Sequence, residues 1–145
     1  MLMDHYWTEP PETAALIREP LDWLGSWYRY RQRPEIAHTP QSTADISFET
    51  FLETYLRQDK TPFAHVGQQS KFLRAANKTY PTHLWRFDNL EGFKGFLNDR
   101  LGSVIDLPHL NASETAEMSV SAKLRRKLEA FFEEDYKLYE AAKGV

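Results

Sequence analysis

Residues Thr13 to Arg33, TAALIREPLDWLGSWYRYRQR, decide how this chain is read. Ala14, Ala15, Leu16 and Ile17 form a short apolar run of the kind that makes a buried strand. Arg18 closes the run, and Glu19-Pro20 turns the chain into a helix. Proline suits a first helical turn because its missing N–H has no partner there anyway. From Leu21 onward Trp23, Leu24, Trp27, Tyr28 and Tyr30 fall at helical spacing, and Pro34 is expected to end the helix. A strand, an arginine and a helix N-terminus in succession make a candidate anion site. Free N–H groups and the positive end of the helix dipole favour a phosphate, and the guanidinium adds a fork of donors. Ser26, about two turns into the helix, offers a hydroxyl toward the same region. From these residues alone a plainer reading also stands, with Arg18 in a surface ion pair and Ser26 as a small residue where helices approach.

Working outward, 145 residues make one domain with room for a real core. A content of 41% hydrophobic and 14% aromatic residues argues against wholesale disorder. The formal net charge of −3 provides no global basic field, so any nucleic-acid or anionic-membrane surface has to be local. With no cysteine, disulfides, thiol catalysis and thiolate metal sites are excluded. No apolar run approaches the roughly 18 residues of a membrane span, and the N-terminus lacks a secretory layout. The chain is therefore expected in the cytoplasm.

Met1 to Glu12 reads as an irregular lead-in, and Glu35 to Asp45 as a loop. Ser47 caps an expected helix from Phe48 to about Gln58, its apolar face made of Phe48, Phe51, Leu52, Tyr55 and Leu56. Thr61-Pro62 breaks it, and a short helix follows over Gln68 to Ala76. Thr82 to Phe87 predicts a strand. Asp88, with Glu91 three residues on, is expected to cap the next helix, whose buried stripe is Leu90, Phe93, Phe96, Leu97 and Leu101. Val104 to Ala116 reads as a loop. A long helix from Ser119 or Ser121 to about Ala142 follows, with Val120, Leu124, Leu128, Phe131, Phe132, Tyr136 and Tyr139 toward the core. About five helices and two strands result. A two-stranded parallel sheet is poorly supported by itself, so further strands are expected from upstream or from a partner chain.

Arg18-Glu-Pro followed by Ser26-Trp27-Tyr28 resembles the 3′-phosphate-binding segment of the PAPS-dependent sulfotransferases, in their bacterial and carbohydrate-type branch. Four later stretches are similar to the same family, in family order. They are Gln69-Ser70-Lys71-Phe72-Leu73, Trp85-Arg86-Phe87-Asp88-Asn89-Leu90, Leu110-Asn111-Ala112-Ser113 and Asp135-Tyr136-Lys137-Leu138-Tyr139. The resemblance implies an α/β fold with the sulfotransferase, P-loop NTPase-like layout, here helix-rich with a reduced parallel sheet. It implies transfer of a sulfuryl group from PAPS to a hydroxyl or amine acceptor, with a carbohydrate among the candidates. Arg18 and Ser26 would hold the 3′-phosphate of PAPS or its product PAP. The family's Pro-Lys-x-Gly-Thr-Thr-like loop, which cradles the 5′-phosphosulfate, has no counterpart before Arg18. The chain thus resembles the back three-quarters of such a domain. A fragment, a mis-started frame and a degenerate protein all fit, and little or no sulfation by this chain is expected.

Other candidates receive plainer assignments. Trp23, Trp27 and Tyr30 could stack an adenine or sugar, but such a stripe is expected in the core. Arg29, Arg31 and Arg33, interleaved with Tyr28 and Tyr30, read as a solvated helix face rather than a nucleic-acid track. His5, His38, His65, His83 and His109 have no metal-ligand spacing, so no metal is expected. His38 and His65 are candidates for a general base, which stays unassigned. Asn111 and Ser113 resemble a segment near the family's nucleotide pocket, and loop hydrogen bonding explains them equally well. Lys123, Arg125, Arg126 and Lys127 face the unfavourable end of a helix dipole, as a docked anion or, more simply, a solvated face would explain. Two other classes of function remain: a non-catalytic nucleotide- or glycan-binding module, and a helical interaction protein forming a homodimer.

Overall fold

The computed structural model describes residues 11–107 and 118–144. Strand β1 (Ala14–Ile17) lies parallel to β2 (His83–Arg86), with Ala14 opposite His83 and Ile17 opposite Arg86. The His83 N–H donates to the Thr13 carbonyl at 2.9 Å. That parity turns the peptide groups of Ala14 and Leu16 away from β2. On the other side of β2, the Lys143 N–H donates to Leu84 (3.0 Å) and the Arg86 N–H donates to Lys143 (2.9 Å). The sheet is therefore α/β and parallel, as expected, and very small.

Between the strands run α1 (Pro20–Tyr30), α2 (Phe48–Arg57), a 3-10 turn (Pro62–Ala64) and α3 (Gln69–Leu73). After β2 come a 3-10 turn (Phe87–Asn89), α4 (Leu90–Leu101), α5 (Ala122–Phe131) and α6 (Glu133–Ala141). The core gathers Leu24 and Tyr28 of α1, Phe51, Leu52 and Tyr55 of α2, and Leu124 and Leu128 of α5, with Phe132 just beyond α5. It lies among helices rather than over the sheet. Ile17 is the one fully buried residue of the strands.

β1 and α2 form where the apolar pattern predicts them, and the Ser47 hydroxyl caps α2 through the Thr50 N–H. Other elements differ, each for a visible reason. α1 ends at Tyr30, short of Pro34, because the buried Thr43 intercepts its last carbonyls. Its hydroxyl donates to Tyr28 (2.7 Å) and its N–H to Arg31 (3.1 Å). α3 stops at Leu73, not Ala76, and a turn closed by the Ala75 N–H on Thr79 follows. The cap of α4 is Asn89 rather than Asp88: the 3-10 turn consumes Asp88, and Asn89 accepts the Gly92 N–H. The expected stripe of α4 is not buried: no residue of that helix is, and Leu101 is 62% exposed. The expected long last helix breaks at Phe132, whose ring stacks on Tyr55 at 17° and 5.7 Å in the core. No described helix is long and apolar enough to cross a membrane. His5, Pro108, His109, Asn111 and Ser113 lie outside the described residues.

Candidate anion-binding site

Arg18 leaves the carboxyl end of β1, and Phe87 leaves the carboxyl end of the neighbouring β2. In open parallel α/β sheets ligands bind outside that edge. The Arg18 guanidinium lies 4.5 Å from the centre of the Phe87 ring. Its Nε and Nη2 donate to one oxygen of Asp22, at 2.9 and 2.7 Å. The ion pair of the plainer reading is thus present. It is a partly solvated contact of modest worth. Among the described residues the third guanidinium nitrogen, Nη1, has no hydrogen-bond partner.

The helix N-terminus itself is less open than the sequence implies. The Asp22 N–H donates to the Glu19 carboxylate at 2.8 Å, so Glu19 caps α1. One acid at the cap, Glu19, and one in the first turn, Asp22, oppose an anion seated on the helix axis. The anion-binding potential therefore rests on the arginine. The Ser26 hydroxyl donates to the Trp23 carbonyl at 2.9 Å, and among the described residues no hydrogen bond joins it to Arg18. To donate to a phosphate it has to leave that carbonyl.

The main chain of Arg18 is held firmly. Its N–H donates to Gln69 Oε1 and its carbonyl accepts from Gln69 Nε2, both at 3.0 Å. Gln69 is buried on the short helix α3. The residues flanking it are anchored by the fully buried carboxylate of Asp135, which accepts from Gln68 Nε2 (2.8 Å) and from the Ser70 N–H (3.1 Å). Next to Asp135 on α6, the Tyr136 hydroxyl donates to Glu19. Burial, with the Glu19 carboxylate second, raises the Tyr136 phenol well above its ordinary value. One turn further, the Tyr139 ring lies 4.4 Å from the Arg86 guanidinium, whose Nε donates to the Tyr139 carbonyl at 2.9 Å. α6 thus braces α3, the start of α1 and the end of β2 together. Of these bracing residues, Gln69 and Asp135 stand in the sequence only as members of motifs, with no role of their own, while Tyr136 and Tyr139 are expected on the core face of the last helix.

The remaining candidates are dispersed. Trp23 and Trp27 pack against the core, as expected, whereas Tyr30, expected in the same stripe, is exposed and meets Trp27 edge-on. Arg31 is not on a solvated face. It is buried, and donates from Nη1 to the carbonyls of Pro62 (2.7 Å) and Phe63 (3.1 Å), and from Nη2 to that of His65 (3.2 Å). Its charge is consumed in tying the α1 end to the loop before α3. Lys123 and Lys127 of α5 share a groove with Glu49 and Glu53 of α2, so acids face that basic turn. No family model, curated protein or solved structure matches this chain.

Proposed function

We propose that this chain is a sulfotransferase-type domain whose Arg18 holds the 3′-phosphate of PAPS or PAP. The observation that supports this reading most is the placement of Arg18. It stands at the carboxyl end of a parallel strand, with its peptide clamped and, among the described residues, no hydrogen-bond partner on Nη1. A phosphate approaching on the side away from Asp22 meets that free donor, and Ser26 supplies a hydroxyl once it turns from Trp23. The two add a positioning contact to the nucleotide. PAPS supplies the sulfuryl group, and the acceptor is a hydroxyl or amine, with a carbohydrate among the candidates. Catalysis of this type is mostly alignment and charge stabilisation. None of the 145 residues forms a Pro-Lys-x-Gly-Thr-Thr-like loop. This chain by itself is therefore expected to bind 3′-phosphorylated nucleotide without robust transfer. Calorimetric titration with PAP and with 5′-AMP tests the reading: binding of PAP alone supports it, and equal affinity for both, or none, sinks it.

A second reading is an interaction protein that forms a homodimer. It is favoured by the outer edge of β1, where the peptide groups of Ala14 and Leu16 turn away from β2 and have no partner among the described residues. An antiparallel copy of the same edge would satisfy them. Sedimentation equilibrium decides: a concentration-dependent dimer indifferent to nucleotide supports it, and a monomer at all concentrations removes it.

A further inference from the structure

The nucleotide reading gives Arg18 a task that depends on where its backbone stands, and the structure ties that backbone to one side chain. Arg18 has the same parity as Ala14 and Leu16, whose peptide groups turn off β1 on the side away from β2. At 14 and 16 that side carries no partner among the described residues. At 18 it carries Gln69, whose carboxamide donates to the carbonyl and accepts from the N–H, both at 3.0 Å. A carboxamide has the donor and acceptor of a peptide group, so Gln69 does at this one position what a neighbouring strand would do. Only 7% of Gln69 is exposed. Asp135 holds the residues on either side of it, Gln68 by its side chain and Ser70 by its main chain. The grip is therefore rigid from the buried carboxylate outward to the arginine.

Resting on that nucleotide reading, we propose that Gln69 is a positioning residue for the 3′-phosphate contact. By fixing both polar groups of the Arg18 peptide, it sets the direction in which the guanidinium leaves the strand. It thereby sets how strongly the site prefers a 3′-phosphorylated nucleotide over one without that phosphate. The carboxamide itself touches no ligand. Loss of the grip leaves Arg18 charged and still beside Asp22, but with its backbone free to shift and its Nη1 free to turn to solvent, and a misdirected fork loses its charge-assisted bonds to the phosphate.

The test is the ratio of PAP to 5′-AMP affinity, measured by calorimetry on the 145-residue chain, with circular dichroism confirming that each variant is folded. Gln69→Met keeps the length and removes both hydrogen bonds. Gln69→Asn keeps the carboxamide but leaves it one methylene short. Each is expected to weaken PAP binding about tenfold while 5′-AMP binding stays unchanged. A merely structural role lowers the melting temperature and leaves the ratio of the folded protein intact, and that result overturns the proposal while the nucleotide reading stands. A wild-type chain with no preference for PAP overturns the nucleotide reading and the positioning role with it. Failure of both variants to fold assigns Gln69 to stability alone and also overturns the positioning role.

Discussion

The carboxylate of Asp135 accepts the main-chain N–H of Ser70 at 3.1 Å, joining α6 to α3 across 65 positions of sequence. The same carboxylate takes the Gln68 carboxamide, and none of it is exposed. Asp135→Ala leaves two buried donors without an acceptor, at about 1–3 kcal/mol each. A loss of about 3 kcal/mol in urea unfolding is expected. Asp135→Asn, which keeps one acceptor, should lose less. A loss under about 1 kcal/mol for the alanine variant would mean that water replaces the carboxylate without penalty.

Arg31 differs from its sequence neighbours in what it does. With three carbonyls on its guanidinium, Arg31→Ala is expected to cost about 2–4 kcal/mol and to leave nucleotide affinity unchanged. Denaturation and calorimetry on the same variant separate the two effects. A fall in affinity without a fall in stability would return Arg31 to a binding surface.

Phe132 sits at the break between α5 and α6 with 1% of its surface exposed. Replacing it with alanine opens a cavity beside Tyr55, and a cost of about 3–5 kcal/mol is expected. Leu101→Ala, at an exposed position of α4, should stay within about 0.5 kcal/mol. Comparable losses at the two sites would contradict a core that includes Phe132 and leaves α4 outside it.

How much of this was legible in the sequence follows the range of each signal. β1, the start of α1 and the whole of α2 were readable because their determinants are local: an apolar run, a proline at the first turn, a serine cap. The break at Phe132 was not, since no glycine or proline marks it and only packing against Tyr55 reveals it. The burial of α4 was overestimated for a related reason. Periodicity shows which face is apolar, but not whether anything covers it, and Leu101 remains 62% exposed. At the site, Arg18 and the turn into α1 were visible, and its ion pair with Asp22 was one of two readings. The Gln69 and Asp135 contacts span 51 and 65 residues and leave no periodic trace. Arg31 was misread as solvated because its partners are carbonyls, which no residue type announces.

Alkaline pH offers a separate check on the packing. Burial raises the phenol of Tyr55 far above its ordinary value of 10.0, with the Asp135 charge adding to the effect, and Tyr136 is raised for like reasons. The folded state then holds these protons more tightly than the unfolded state. Stability from them is intact below pH 10 and falls as pH rises above it. Absorbance at 295 nm and helical dichroism, followed together, should show these phenols ionising only as the helices melt. Full tyrosine ionisation near pH 10 with the helices intact would contradict the burial of both.

The most direct test of the nucleotide reading is thermal unfolding of the chain with PAP and with 5′-AMP at equal concentration, for the wild type and Arg18→Ala. A ligand at 100 times its dissociation constant adds about 2.7 kcal/mol, a rise of roughly 5–10 °C for a domain of this size. The expected result is a rise with PAP alone, reduced or abolished in Arg18→Ala, whose affinity should fall about ten- to hundredfold. Equal shifts with both nucleotides, no shift with either, or a PAP shift untouched by Arg18→Ala would contradict a 3′-phosphate site at Arg18.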